Sequence, residues 1–327
     1  MVVMELKMKT IGVLTSGGDA PGMNAAVRAV VRSAVGRGLR VIGVRRGYMG
    51  LMTGDMFEMN LRSVSDIIGR GGTVLFSARC PEFQEPRGQR KAVEICKMAG
   101  IEGLVTIGGD GTFRGASALS GLGLPCIGIP GTIDNDIASS DYTIGFDTAV
   151  NTAVEMIDRI RDTSASHDRC TVVEVMGRHA GHIALHAGLA TGAISILVPE
   201  VPFDIDRDVV GRMLDSLKKG KQHFIVLVAE GVGHAPELAR YIGEKTGIVT
   251  RATVLGHVQR GGSPTARDRI VASQMGNHAV DLLCQGIGDR VVVYRQDKIV
   301  NYSIEEALQM HKSIDMELYE LAKEISI

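Results

Sequence analysis

The sequence predicts an α/β protein built as two doubly wound parallel-sheet units. Short apolar runs alternate with segments of helical period along the whole chain, the pattern of parallel strands joined by crossover helices. Glycine is abundant, with 41 in 327 residues, as many tight strand-to-helix turns require. That length favours about two domains, and a hydrophobic fraction of 45% supplies a core for each.

The elements follow in order. Thr10–Thr15 is a first buried strand, and the loop Ser16–Gly22 leads into a helix from about Met23 to Val35, apolar at Ala26, Val27, Val30, Val31 and Ala34. Gly17 and Gly22 have the spacing of a phosphate-binding P-loop, but Met23-Asn24 stands where Lys-Ser belongs, so that motif is excluded. A glycine loop opening a helix still suits a nucleotide phosphate, and equally a plain turn. Arg40–Val44 is a second strand, with Tyr48 in the loop after it. Ser63–Asp66 opens a short helix ending at Arg70–Thr73, Ser77–Pro81 is a loop bearing Arg79, and Arg87–Ala99 is a solvent-faced helix.

Two further strands, Leu104–Ile107 and Cys126–Ile129, each end in glycine and then carboxylate: Gly108-Gly109-Asp110-Gly111-Thr112 and Pro130-Gly131-Thr132-Ile133-Asp134-Asn135-Asp136. In an open parallel sheet, loops beyond the carboxyl ends of strands hold ligands. Bare glycine backbone cradles phosphates, and Asp110 is the right oxygen ligand for a phosphate-bound Mg²⁺. Asp134 and Asp136 project to one side if their segment is extended. A tight turn and an Asx cap would explain either motif alone; the pair points to phosphoryl transfer.

Beyond these, a helix spans about Thr148–Thr163, and a second round of alternation follows. It runs Arg169–Met176, helix His179–Thr191, Ile194–Val198, helix Arg207–Leu217, Phe224–Ala229 closed by Glu230, and a helix to about Lys245. Arg251, His257 and Arg260 cluster beside glycines as an anion clamp. A helix of roughly Ala266–Cys284 and the strand Arg290–Tyr294 return to the first domain, and Glu305–Met310 and Met316–Ile325 are closing helices.

Composition excludes several classes. A formal net charge of −1 leaves no footprint for nucleic acid or anionic membrane, and 4% aromatics with no tryptophan disfavour base-stacking platforms. Five scattered cysteines without a Cys-x-x-Cys fit neither a disulfide framework nor a zinc site. Met1–Lys9 lacks a signal-type apolar core, and no run approaches the roughly 18 apolar residues of a membrane span. A soluble cytoplasmic protein is expected.

Five stretches together resemble bacterial-type ATP-dependent 6-phosphofructokinases, over about Met8 to the last helix: Leu14–Asn24, Gly108–Thr112, Pro130–Asp136, Met176–Arg178 and His257–Pro264. The resemblance implies two Rossmann-like domains with the active site in a cleft between them: an ATP-binding domain (1–145 plus about 258–308) and a fructose-6-phosphate-binding domain (146–257 plus about 309–327). It implies the nucleotide on Gly18, Tyr48, Arg79 and Cys80 and on Gly109, Asp110, Gly111 and Thr112, with Asp110 on Mg²⁺. Asp134 is then the general base on the sugar C1 hydroxyl, with Thr132, Ile133 and Asp136 beside it, and Arg79 and Arg178 neutralise the transferring group. Met176, Gly177, Arg178, Glu230, His257 and Arg260 hold the sugar phosphate. Arg169 and Arg251 reach it across a subunit interface of a homotetramer.

Relatives that use pyrophosphate carry Asp and Lys where this chain has Gly111 and Gly131, so the resemblance implies ATP as donor. The alternatives are a pyrophosphate-dependent enzyme, another Gly-Gly-Asp-Gly kinase, and a non-catalytic nucleotide sensor. The last two leave the Pro130–Asp136 and His257–Pro264 stretches, or the retained Asp110 and Asp134, without explanation. An effector site is implied at Arg28, Arg32, Arg161 and Lys221, but Leu61 and Ile194 stand where the family has an arginine and a Mg²⁺-binding glutamate.

Overall fold

The computed structural model describes residues 8–326. The expectation for Met1–Lys9 therefore falls mostly outside the described residues. In chain order the elements begin with β1 (Thr10–Thr15), α1 (Met23–Gly36), β2 (Arg40–Val44), α2 (Gly47–Thr53), β3 (Met56–Met59) and α3 (Pro86–Met98). Next come β4 (Gly103–Gly108), α4 (Asp110–Gly121), β5 (Cys126–Pro130), α5 (Phe146–Ala165), β6 (Cys170–Val175) and α6 (His182–Thr191). There follow β7 (Ser195–Leu197), α7 (Arg212–Lys218), β8 (Phe224–Ala229), α8 (Ala235–Thr246) and β9 (Thr250–Val254). The chain closes with α9 (Ala266–Cys284), β10 (Arg290–Arg295), β11 (Lys298–Ser303), α10 (Ile304–Gln309) and α11 (Met316–Ile325).

These elements form two compact units. The first contains the described residues through Ile133, Ile137–Asp147 and Arg260–Lys312. Its sheet has the order β11-β10-β5-β4-β1-β2-β3, with β10, β5, β4, β1 and β2 running parallel and the edge strands antiparallel. Every residue of β1, β4 and β5 is buried, because a parallel sheet is covered on both faces. That explains their nearly continuous apolar composition. From β1 the chain steps to β2 on one side, and β4 lies on the other, so the order reverses between β1 and β4. The second unit contains Asp134–Asp136, Thr148–Gln259 and the described residues from Ser313 onward. Its four strands are all parallel, in the order β7-β8-β6-β9, around a core that includes Val172, Ile194, Phe224 and Val226.

Several local expectations are corrected. Tyr48 lies on α2 rather than in a loop. Residues 63–73 form turns instead of a helix: Asp66 adopts φ 58° and Gly72 φ 66°, which a right-handed helix cannot contain. The edge strands β3, β9 and β11 have no clear apolar alternation, and the hairpin before β11 turns through Gln296 and Asp297 in left-handed conformation without glycine. The helix expected from Arg207 opens as a π-helical stretch, Asp206–Gly211, before α7. The segment carrying Asp134 and Asp136 is bent, with Asn135 at φ 52°, so simple alternation does not put both carboxylates on one side.

Candidate active site

The loops after β1 and β4 meet where the strand order reverses. Ser16 N–H donates to the Ile107 carbonyl (2.9 Å), and Thr112 Oγ1 to the Ser16 carbonyl (3.3 Å). A Cβ on Gly108 would stand 2.3 Å from Thr112 Oγ1 and 2.4 Å from the Ser16 oxygen, so only glycine permits this approach. Gly109 caps α4, and Asp110 sits half-buried in its first turn, where the helix dipole favours a carboxylate or a phosphate. Gly111 is exposed, with no protein atom within 4 Å of where its Cβ would lie. The result is a helix N-terminus with a bare backbone approach.

The exposed Arg79 rides on a loop tied to the first of these. Ser77 Oγ donates to the Gly17 carbonyl (2.5 Å), and Thr15 Oγ1 to the Phe76 carbonyl (2.8 Å). Asn24, buried on α1, donates to the carbonyls of Arg70 (3.0 Å) and Gly71 (3.2 Å) and accepts from Val74 N–H (2.8 Å). Sequence reasoning quoted Asn24 only as part of a motif. Its signal was a polar side chain on the otherwise apolar face of a helix. Tyr48 is buried, stacked on Phe83 with centroids 4.1 Å apart, and its hydroxyl donates to the Thr112 carbonyl. It braces the loop from beneath. Half-buried Cys80 packs its thiol against Met52 Sδ (3.5 Å). Gly18 is exposed under the guanidinium of Arg260, whose Nη1 donates to the Asp19 carbonyl (3.1 Å).

After β5 the chain makes a closed loop. Thr132 N–H donates to the Ile144 carbonyl (3.1 Å), Ile144 N–H to the Pro130 carbonyl (3.0 Å) and Thr143 Oγ1 to the Thr132 carbonyl (2.7 Å). Asp134 follows two residues beyond this clasp, 3% exposed, between buried Ile133 and Asn135, and Asp136 is half-buried. A Cβ at Gly131 would press on Ile107 Cγ2 (3.0 Å) and Met23 Cε (3.2 Å).

In the second unit the loops after β6 and β8 meet. Glu230 Oε1 accepts from Gly177 N–H (3.3 Å) and from Arg178 N–H, which fixes the turn Met176-Gly177-Arg178. Gly177 has φ 143° and a Cβ there would lie 2.4 Å from the Ala180 carbonyl, while Arg178, at φ 56°, is exposed. Met176 N–H is held by Oε1 of fully buried Gln259 (3.2 Å), a second supporting residue that sequence reasoning passed over.

The three residues of the expected clamp, Arg251, His257 and Arg260, lie on different pieces of structure. Arg251 is on β9, opposite Thr171 at the amino end of β6, exposed His257 is in a short 3₁₀ turn, and Arg260 is bound to Asp19. The cause is β9 itself, whose extended residues rise about 3.3 Å each and separate the ends of the stretch. Arg169 directly precedes β6, two residues before the Thr171 that faces Arg251, at the end of the sheet away from Arg178 and Glu230.

Of the expected effector residues, Arg28 and Arg32 lie on α1 of the first unit. Arg161 and Lys221 belong to the second, where Arg161 donates to the Thr191 carbonyl. Burial, then the cations of Arg161 and Arg212, hold the Lys221 ammonium below the usual lysine range. Ile194 is buried in the core of this unit, and Leu61 is exposed. Among the described residues no group of three or more carboxylate, imidazole or thiol side chains could hold a metal alone. Among the described residues no helix is long and apolar enough to cross a membrane. The cysteines form no disulfides, and burial pushes the thiols of Cys96 and Cys170 up to about 12.

Comparison with known proteins places these features in a family. A family model described as phosphofructokinase matches residues 10–283. The ATP-dependent 6-phosphofructokinase of Clostridium tetani is 58% identical over 319 residues, 98% of this chain and 100% of that protein. Among solved structures, phosphofructokinase from Saccharomyces cerevisiae matches with a TM-score of 0.86 at 35% identity, and that from Pichia pastoris with 0.88 at 37%. The matches cover 92% and 93% of this chain but 45% and 36% of the yeast chains, so it spans less than half their length.

Proposed function

The chain belongs to the phosphofructokinase family, and on that premise we propose that it catalyses ATP-dependent phosphorylation of fructose 6-phosphate at the C1 hydroxyl. The products are fructose 1,6-bisphosphate and ADP. The observation that carries this reading is the 58% identity to an ATP-dependent 6-phosphofructokinase over the full length of that relative.

The residue roles are proposals supported by the local geometry. Phosphoryl transfer asks mainly for positioning and charge neutralisation. Gly109, Gly111 and the first turn of α4 offer backbone N–H groups to the nucleotide phosphates, with Gly18, Cys80 and Thr112 around them and Tyr48 as their support. Asp134 takes the proton of the C1 hydroxyl as that oxygen attacks the γ-phosphorus, and Thr132, Ile133 and Asp136 orient the sugar. Arg79 and Arg178, both exposed on fixed loops, meet the charge spread over the transferring oxygens. Met176, Gly177, His257 and Arg260 hold the sugar phosphate, and Glu230 both shapes their turn and faces the substrate. The residues fit Mg²⁺: a single half-buried carboxylate, Asp110, beside an open glycine suits an ion carried largely by phosphate and water. The ion would neutralise phosphate charge there.

The open space at Gly111 supports ATP as donor. The position of Arg169 and Arg251, at the amino ends of β6 and β9, supports their service to a neighbouring subunit. Exposed Val254 at the end of the edge strand β9, with exposed Val249 just before the strand and Val258 in the 3₁₀ turn after it, fits an interface in a homotetramer. The unbridged thiols fit a reducing cytoplasm. A coupled assay supplied with fructose 6-phosphate, Mg²⁺ and either ATP or pyrophosphate tests the reading. Turnover with ATP and little with pyrophosphate is expected; the reverse preference contradicts it.

A further inference from the structure

The clasp beneath Thr132 and Asp134 is itself held, by a residue far away in sequence. Asp268, fully buried in the first turn of α9, accepts through Oδ1 from Gly145 N–H (2.7 Å) and from the Tyr142 hydroxyl. Its own N–H is fixed by the capping Thr265 Oγ1 (3.3 Å), so the carboxylate is mounted on the end of a 19-residue helix. Tyr142 is packed from several sides, with the Arg267 guanidinium 4.6 Å from its ring centroid and Phe146 and Tyr294 edge-on. Burial and the Asp268 carboxylate push its phenol above the usual range, so it stays a donor.

The two residues that Asp268 grips bracket Thr143 and Ile144, which make the clasp onto Pro130 and Thr132. A short chain of bonds thus runs from helix to loop: Asp268 to Gly145 and Tyr142, these to Thr143 and Ile144, and these to Thr132. Gly145 sits at φ 107°, and a Cβ there would stand 2.7 Å from Ala20 Cβ, so the turn is fixed in both conformation and place.

We propose that Asp268 is a positioning residue for phosphoryl transfer, setting through Gly145 and Tyr142 the base of the loop that presents Thr132 and Asp134. The inference rests on the reading of Asp134 as the general base. Misplacing a reacting group by about 1 Å costs on the order of 10²-fold, and Asp268, fully buried, presents no surface to either substrate. Its loss therefore acts on kcat and leaves nucleotide affinity in place.

The test compares wild type, Asp268→Ala, Asp268→Asn and Tyr142→Phe, with Asp134→Ser alongside. Titration with a non-hydrolysable ATP analogue counts competent sites, and kcat is expressed per site. Asp268→Ala should lose about 10- to 100-fold in kcat per site, with the KM for ATP within about twofold. Asp268→Asn, whose amide oxygen still accepts both bonds, should recover most of that loss. Tyr142→Phe should fall between them, by at least about threefold. If Asp268→Ala does not fold, Tyr142→Phe decides: an unchanged kcat per site overturns the proposal. So does activity that falls only in step with the number of sites, the mark of a purely structural role. A wild type inactive on fructose 6-phosphate and ATP, or an Asp134→Ser variant of full activity, would instead defeat the functional reading on which this rests.

Discussion

Gly108→Ala probes the meeting of the β1 and β4 loops directly. The new methyl would lie 2.4 Å from the Ser16 carbonyl oxygen, against an ordinary contact of 3.4 Å or more. Thr112 can rotate its hydroxyl, but Ser16 must move its backbone by about 1 Å. Overpacking of that kind costs about 1–3 kcal/mol. The Ser16 N–H bond to Ile107, at 2.9 Å, goes with it, adding about 1 kcal/mol. For a unit of this size, 2–4 kcal/mol corresponds to a fall in Tm of roughly 5–15 °C. The KM for ATP should rise as well, because the two loops proposed to receive the nucleotide are pushed apart. Gly111→Ala is the matched control, since its methyl meets no protein atom. It should keep or slightly raise Tm, as Gly to Ala within a helix does, and should raise the KM for ATP only through contact with the nucleotide. The assays are differential scanning calorimetry and initial rates against ATP. A Gly108→Ala variant with wild-type Tm and KM would refute the argument.

Other outcomes follow from the same placements. Alkylation of the native protein at pH 8 should spare Cys96, Cys126 and Cys170, which are buried with thiols pushed well above that pH, and ATP should slow labelling at half-buried Cys80; peptide mass spectrometry reads both. Mixing Asp134→Ser with Arg251→Ala subunits should restore part of the activity through hybrid sites, and a failure after verified subunit exchange counts against a shared site. Mg-ADP should shift the fructose 6-phosphate saturation curve weakly or not at all, because Ile194, buried in the core, cannot ligate Mg²⁺. A strong leftward shift abolished by Arg161→Ala contradicts that. Gly111→Asp should weaken ATP use more than pyrophosphate use. It is a cleaner donor test than Gly131→Lys, which also presses on Ile107 and Met23.

The fold was legible where its physics is local. Buried parallel strands are apolar throughout, so β1, β4, β5 and β8 stand out as runs, and the 19-residue α9 was bounded at Ala266 and Cys284. Half-exposed edge strands gave no such signal: β3, β9 and β11 draw their stability from a neighbour rather than from a pattern of their own. Missing β9 also hid the separation of Arg251, early on that extended strand, from His257 beyond its end. The helix expected after Ser63 does not form: the Asn60 carboxamide accepts from the backbone N–H groups of Arg62 and Ser63 as a turn, and Asn24, some forty residues earlier, satisfies the backbone of 70–74. Motifs named the residues proposed to face ligand. They did not reveal those that hold such residues in place: Asn24 for the Arg79 loop, Gln259 for Met176, and Asp268 for the Thr132 clasp. Each of these acts through a contact between distant parts of the chain.

The central claim is that this chain moves a phosphoryl group from ATP to the C1 hydroxyl of fructose 6-phosphate with Asp134 as base. The most direct measurement is kcat for wild type and Asp134→Ser at saturating fructose 6-phosphate, ATP and Mg²⁺, with the product identified by phosphorus NMR. The account predicts fructose 1,6-bisphosphate from the wild type and a kcat lower by roughly 10²–10⁴ in the variant, with both KM values little changed. A variant within about fivefold of wild type, or a product phosphorylated elsewhere, would contradict it.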